Sequence, residues 1–370
     1  MILAYIIYLL LLVLLFTVSS HNQKLLVARN SLVRIGKRTT IWRWPLMLGL
    51  FVLMLVIGLR YDVGVDFLGY KHDFDGIAEG NGQWNRYELG YWLVGRVLSA
   101  LGLGSWSLFM FTALITWYYF IKSYEVFPYL LKWGLFFAFT TGFFFASMNG
   151  MRQTIALVIF MYAIKYIEEK SLLKYSLYLL LASSFHTSIL MAYPFYFFIN
   201  KISFTGKKWV FIYIVTFIIG DRIDVRSLVV YGASKIPKYQ HYVTRFLQDF
   251  DEPLSMGLGG IYFFLVGLLV IILSKSFLQK NPRLKIYYNL YFFGAILYNF
   301  FWKYEILGRI YYLFIWFEIF CLAAIAYYLG RSKYKLFLYL LLITQILFFM
   351  YKILKGENQC APFQFIPINN

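Results

Sequence analysis

The stretch Ile2-Leu-Ala-Tyr-Ile-Ile-Tyr-Leu-Leu-Leu-Leu-Val-Leu-Leu-Phe-Thr-Val18 decides the fold class. It carries no charge, and as a helix it is about 25 Å long, close to the roughly 30 Å hydrocarbon core of a bilayer. It lacks the basic leader and small-residue cleavage site of a signal peptide, so it reads as a retained helix. Comparable apolar runs follow near 41–59, 105–121, 131–147, 152–167, 171–185, 186–200, 208–220, 258–274, 286–302, 309–329 and 334–354. Helices keep their backbone hydrogen bonds within the segment and so survive in lipid. The period-two alternation of a membrane barrel is absent. The expected fold is therefore all-α, a polytopic transmembrane helical bundle of about 11–12 membrane segments. The pair 171–200 is too long for one straight helix and too short for two comfortable spans. A broken or re-entrant hairpin fits it best.

Composition agrees. Of the 370 residues 61% are hydrophobic, 22% aromatic and only 14% charged, against roughly 25% charged in soluble domains. The net charge of +18 would suggest nucleic acid in a soluble protein, but no soluble domain is present to bind it. No nucleic-acid partner is expected. Basic loops set membrane orientation instead. Two cysteines, Cys321 in an apolar run and Cys360 in the tail, make no disulfide framework. The aromatic load is read as interfacial belts, with sugar faces as the other use.

Charge orients the chain. Loop 19–40 holds Lys24, Arg29, Arg34, Lys37 and Arg38 without an acid, and loop 275–285 holds Lys275, Lys280, Arg283 and Lys285 without one. Arg331, Lys333 and Lys335 stand likewise, and with all of these inside, Lys122, Lys132, Lys165, Lys170, Lys174, Lys201, Lys207 and Lys208 also fall inside, accompanied only by Glu125, Glu168 and Glu169. Both termini then lie outside. Residues 1–370 read as a single integral membrane domain with outward loops 60–104 and 221–257; Glu88 to Gly104 suits a helix lying in the interface.

Charges in or beside membrane segments are costly and call for an explanation. Arg60, Asp62 and Asp66 stand where the second segment leaves the membrane, as a base or metal site or as a solvated cap. Glu88 opens an apolar stretch, where a helix N-terminus favours a carboxylate. Ser147-Met-Asn149-Gly-Met-Arg152-Gln153 is a short outward link. Asn149 as a cap places Arg152 and Gln153 on one helical face, a seat for phosphate. His186, in Ser183-Ser184-Phe185-His186-Thr187-Ser188, sits at the break of the hairpin and is a candidate base. Arg309, Tyr312 and Trp316 share a helical face; Glu318 points away from it. By this topology Arg60, Asp66, Glu88, Arg152, His186 and Arg309 all reach the outer face. No P-loop, zinc pattern, dinucleotide fingerprint or serine-triad motif occurs.

Four of these stretches, in order, carry a resemblance. R-Y-D-V-G-V-D-x-x-x-Y at 60–70, E-L-G-Y at 88–91, N-G-M-R-Q-T-I-A at 149–156 and F-H-T-S at 185–188 resemble the EpsG family of exopolysaccharide polymerases, related to the Wzy O-antigen polymerases. The resemblance covers roughly residues 40–330. It implies polymerisation of undecaprenyl-diphosphate-linked repeat units at the outer face of the bacterial plasma (inner) membrane. The growing glycan moves en bloc onto the terminal sugar of a new lipid-linked unit, in an architecture similar to GT-C-type glycosyltransferases. Arg60, Asp66, Glu88, Asn149, Arg152, Gln153, His186 and Arg309 fall on motif positions. The partners implied are the undecaprenyl-diphosphate-linked oligosaccharide, membrane lipids and a chain-length regulator.

Such a reaction needs two lipid-linked substrates held in line, a counter-charge for the departing diphosphate and a base for the acceptor hydroxyl. Arg152, Arg309 and Arg60 are expected on the diphosphate. His186 is the first expectation for the base, with Asp66 or Glu88 second, and Asn149, Gln153 and Tyr312 position the substrate. No cofactor is expected, and no metal if the arginines suffice; a metal on Asp62 and Asp66 is the rival scheme. Alternatives for the whole chain are a lipid-linked oligosaccharide flippase or transporter, and an O-antigen ligase.

Overall fold

A computed structural model describes residues 1–30, 42–80, 87–220, 222–223, 230–232, 234–235 and 257–367. Most of loop 221–257 and Arg86 lie outside them. The described chain is helical without a β-strand; its one isolated bridge joins Arg60 to Phe365. In order the helices are α1 (Ile2–Asn30), α2 (Trp44–Gly58), α3 (Phe67–Ala78), α4 (Leu89–Ala100), α5 (Ser105–Ser123), α6 (Leu131–Thr140), α7 (Phe143–Asn149), α8 (Met151–Ala163), α9 (Lys165–Glu168), α10 (Leu172–Ser183), α11 (Phe195–Phe198), α12 (Lys207–Gly220), α13 (Leu258–Lys280), α14 (Lys285–Phe301), α15 (Glu305–Ile315), α16 (Glu318–Leu329) and α17 (Lys335–Leu354).

The chain is that of a membrane protein, and its described residues are all-helical. Among the described residues, Ile2–Gln23, Leu258–Lys280, Leu307–Leu329 and Lys335–Leu354 are long and apolar enough to cross a bilayer. A fifth candidate, Pro128–Thr140 with Phe143–Asn149, is bent by 65°. The bend falls at Gly142, whose φ of +101° suits glycine. Trp44–Gly58 and Leu172–Ser183 are apolar but shorter than a full crossing. An apolar run measures transfer free energy, and does not reveal where the chain turns within it. The pair expected over 171–200 is broken in its middle: α10 ends at Ser183, and a 3-10 stretch Thr187–Ala192 follows.

Contacts divide the chain into two compact units, Met1–Tyr196 with Leu322–Asn370, and Phe197–Cys321. In the first, α8 packs against α5 and α10, α2 against α5, and α1 against α2, α6 and α17. Many of its aromatic rings fill the core rather than an interfacial belt. Trp117 is wholly buried among Phe120, Phe139 and Phe143, with ring centres 5.4–5.8 Å apart. Each such pair contributes about 0.5–1.5 kcal/mol beyond area burial, a useful term where lipid removes most of the hydrophobic drive. α4 leaves Leu89, Leu93, Val97 and Leu101 exposed along one stripe, with Tyr91 and Gly95 buried behind it. That is the amphipathic pattern of a helix lying in a membrane interface.

The first unit also has two chemically different ends. Tyr5 donates to the Met350 carbonyl and Tyr8 to that of Cys360, so the chain's start and the C-terminal tail share one end. At the other, Gln23 donates to the Tyr129 carbonyl, Lys132 lies over Trp133, Arg331 over Tyr327, and Lys165 is 3.6 Å from Glu125. In the second unit α14 packs closely on α15: a Cβ on Gly294 would lie 2.5 Å from the Ile315 nitrogen. Buried Asn299 donates to the Tyr213 carbonyl and to Thr216. Glu318, buried as well, lies within electrostatic reach of Tyr213, Tyr291 and Tyr298.

Candidate active site

The first unit brings the four resembling stretches to one place. α8 begins immediately after Gly150, which puts Arg152 in its first turn. α4 begins at Leu89 with Glu88 as the residue before it. α10 ends at Ser183, and the chain leaves it through Ser184, Phe185 and an extended His186. The Gly90 N–H donates to the Ser184 carbonyl at 2.7 Å. A Cβ on Gly90 would meet Ser184 Oγ at 2.5 Å and its carbonyl oxygen at 2.8 Å. Glycine is therefore what lets the first turn of α4 dock on the chain leading to His186.

That docking sets Glu88 between Arg152 and His186. Arg152 Nη1 donates to Glu88 Oε2 at 2.8 Å, and His186 Nδ1 lies 3.3 Å from Oε1. The first is a charge-assisted hydrogen bond. The second is a close contact without hydrogen-bond alignment, and Nδ1 makes no other hydrogen bond. Arg152 also lies over the Tyr91 ring, 5.2 Å from its centre, and interacts with the Tyr70 phenol. All three side chains stay partly open, at 19% for Glu88 and His186 and 29% for Arg152. Burial disfavours the Glu88 charge, but the His186 imidazole and the Arg152 guanidinium outweigh it and hold the carboxyl down at about 2.

The other expected residues fall in three places. Arg60 does not join the cluster. It is fully buried, with Nε donating to the Val63 carbonyl, Nη1 to Ile57 and Nη2 to Met148 at 2.7–3.0 Å, and its guanidinium faces Phe109. Its role here is to tie the 57–63 turn to the end of α7. Asn149 is also turned inward. Its Nδ2 donates to the Phe145 carbonyl and to Cys360 Sγ, and its Oδ1 faces the Asp66 N–H at 3.4 Å. Gly64, with φ +105°, passes so close that a Cβ would sit 2.9 Å from that Oδ1. Gln153 is half-buried beside Arg152, and the Asp62 and Asp66 side chains are exposed. Arg309 and Tyr312 belong to the second unit, both exposed on α15, where Tyr312 stacks on Trp316. Among the described residues no group of three or more His, Cys, Asp and Glu gathers as a metal site.

Sequence reading passed over two contributors. Tyr91 and Tyr70, the last residues of the stretches 88–91 and 60–70, lie beside the Arg152 guanidinium. The tail was not expected here at all: Tyr61 N–H donates to Gln364, Gly64 to Gln359, Val65 to Asn358, and the Ile366 N–H to Leu59. These are backbone bonds between residues some three hundred positions apart, and no side-chain pattern announces them. No curated protein and no solved structure matches the chain. A sequence model of the EpsG family matches residues 43–365, most of the chain, and with these motifs assembled around Glu88 the chain belongs to the EpsG family, a Wzy-type polymerase family.

Proposed function

We propose that the chain is a GT-C-type polysaccharide polymerase that moves a lipid-diphosphate-linked glycan en bloc onto a lipid-linked repeat unit at the outer face of the bacterial plasma membrane. Family membership supports a polymerase-type glycosyltransferase in general terms. The observation that carries the finer reading is the single carboxylate of Glu88 shared by Arg152 and His186.

In this reading His186 takes the proton of the acceptor hydroxyl on Nε2 as that oxygen attacks the anomeric carbon. The bond from that carbon to the diphosphate breaks, and its electron pair leaves on the diphosphate oxygen. Arg152 meets the developing charge with the N–H donors that Glu88 does not occupy. Glu88 stays ionised, orients the imidazole through Nδ1 and stabilises the imidazolium that forms. Asn149 and Arg60 support the site by fixing the 57–66 turn against α7, and Gln153 lines the same first turn as Arg152. Asp66 stands exposed at the rim. Arg309 and Tyr312 remain proposed substrate contacts of the second unit. The undecaprenyl carrier and a chain-length regulator remain the proposed partners.

The outward orientation rests on the two ends of the first unit. Lys122, Lys132, Lys165 and Arg331 gather opposite the motif cluster, and Arg152 and Lys165 on successive helices are about 20 Å apart along the axis. Basic ends face the cytoplasm.

The test is reconstitution of the purified protein with a defined diphosphate-lipid oligosaccharide. Longer products are expected without nucleotide, and none from Arg152→Ala or His186→Ala. Failure of the wild-type protein to lengthen the substrate refutes the polymerase reading. Lipid-linked units trapped inside cells that lack the protein point to a flippase, and transfer only to a non-repeat acceptor points to a ligase.

A further inference from the structure

The second unit carries a cationic cavity that contains none of the residues assigned to glycan transfer. Residues 197–220 and 257–304 contain no Asp or Glu. At one end of this unit a cavity of about 340 Å³ is lined by Ser203, Thr205, Lys275, Gln279 and Lys285 together with Leu278 and Pro282. Lys275 and Leu278 lie in the last turns of the candidate span Leu258–Lys280, one helical turn apart and so on the same side. A span's last turns are where lipid headgroups begin.

The loop that supplies the hydroxyls is held in shape. One face of α14 pins it: Lys285 Nζ donates to the Asn200 carbonyl at 3.0 Å, and the Tyr288 hydroxyl to Phe204 at 2.8 Å. Asn289 Nδ2 donates to Ile199 and Ile202 at 2.8 and 3.0 Å. Ser203 Oγ and Thr205 Oγ1 are thereby set 3.3 Å apart. Fixed hydroxyls and two lysines lining one cavity with Leu278 and Pro282, at the end of a candidate span, match a charged phosphodiester that continues into hydrocarbon.

We propose that this cavity seats the headgroup of an anionic phospholipid. The ammonium groups of Lys275 and Lys285 meet the phosphate oxygens, Ser203 and Thr205 donate to the remaining oxygens, and Leu278 and Pro282 lie under the glycerol. The proposal is independent of the glycan chemistry. Its test uses the purified full-length chain in detergent, with native mass spectrometry of bound dioleoylphosphatidylglycerol and dioleoylphosphatidylcholine at equal mole fraction. The wild-type protein should retain the anionic lipid at least tenfold more tightly. Lys275→Gln should weaken that retention about five-fold, the contribution of one basic residue near a lipid surface. Lys275→Arg should preserve it, as should Lys333→Gln, which removes an exposed lysine elsewhere. Equal retention of the two lipids, or an unaltered Lys275→Gln, overturns the proposal. Displacement of the lipid by inorganic phosphate at matching concentration also overturns it, because the cavity would then recognise phosphate alone.

Discussion

Replacing Glu88 with glutamine keeps the shape of the side chain and removes the charge that Arg152 and His186 share. In the folded protein the carboxyl ionises at about 2 against an ordinary 4.5. At 1.36 kcal/mol for each tenfold change in proton affinity, the ionised form contributes about 3 kcal/mol. A depressed value means that this contribution is fully present above about 4.5 and is lost as pH falls from there through about 2. Unfolding in mixed micelles, followed by tryptophan fluorescence between pH 7 and pH 2, reads the effect directly. At pH 7 Glu88→Gln should be less stable than wild type by about 3 kcal/mol, and the two curves should converge towards pH 2. A difference that stays constant across this range, or no difference at pH 7, would refute the view that Glu88 is an ionised hub.

Gly90→Ala should cost about 1–3 kcal/mol through overpacking and reduce polymer formation, read by thermal unfolding and by product length. Adding Ser184→Ala should not rescue it, because the Ser184 backbone carbonyl also stands 2.8 Å from the new Cβ. Arg60→Met leaves the buried carbonyls of Val63, Ile57 and Met148 without their side-chain donor and should lower stability by at least about 1–3 kcal/mol, measured by thermal unfolding; an unchanged midpoint would remove the tie assigned to Arg60. Arg309→Ala should abolish polymer while the amount of protein in the membrane is unchanged, checked by chain-length gels alongside membrane blots; normal chain lengths would take Arg309 out of the mechanism.

How much of this was legible beforehand differs from residue to residue. Class, helicity and the apolar stripe of α4 follow from apolar runs and their period, because transfer into lipid and helix formation are local properties of the chain. The hairpin break at Ser183–His186 was visible for the same reason: the run is too long for one helix and carries polar residues at its middle. Glu88, Arg152 and His186 stood out as charges at the edges of apolar segments, where each needs a reason to be. Their convergence on one carboxylate was not visible. It depends on Gly90 docking against Ser184, a contact across more than ninety residues. Arg60 looked like an open cation from its position, yet backbone carbonyls from three places enclose it. Gly142 reads as an ordinary small residue, and its left-handed conformation bends an apolar run that looked continuous.

Hydropathy and charge along the chain were enough to establish a helical membrane protein with its notable polar groups near segment ends, since each residue's preference for lipid or water is fixed by its own chemistry. Which of those groups meet, which are enclosed and which stay open was decided by packing between distant segments. Ion pairing and desolvation depend on separations of a few ångströms in space, and position along the chain does not encode them.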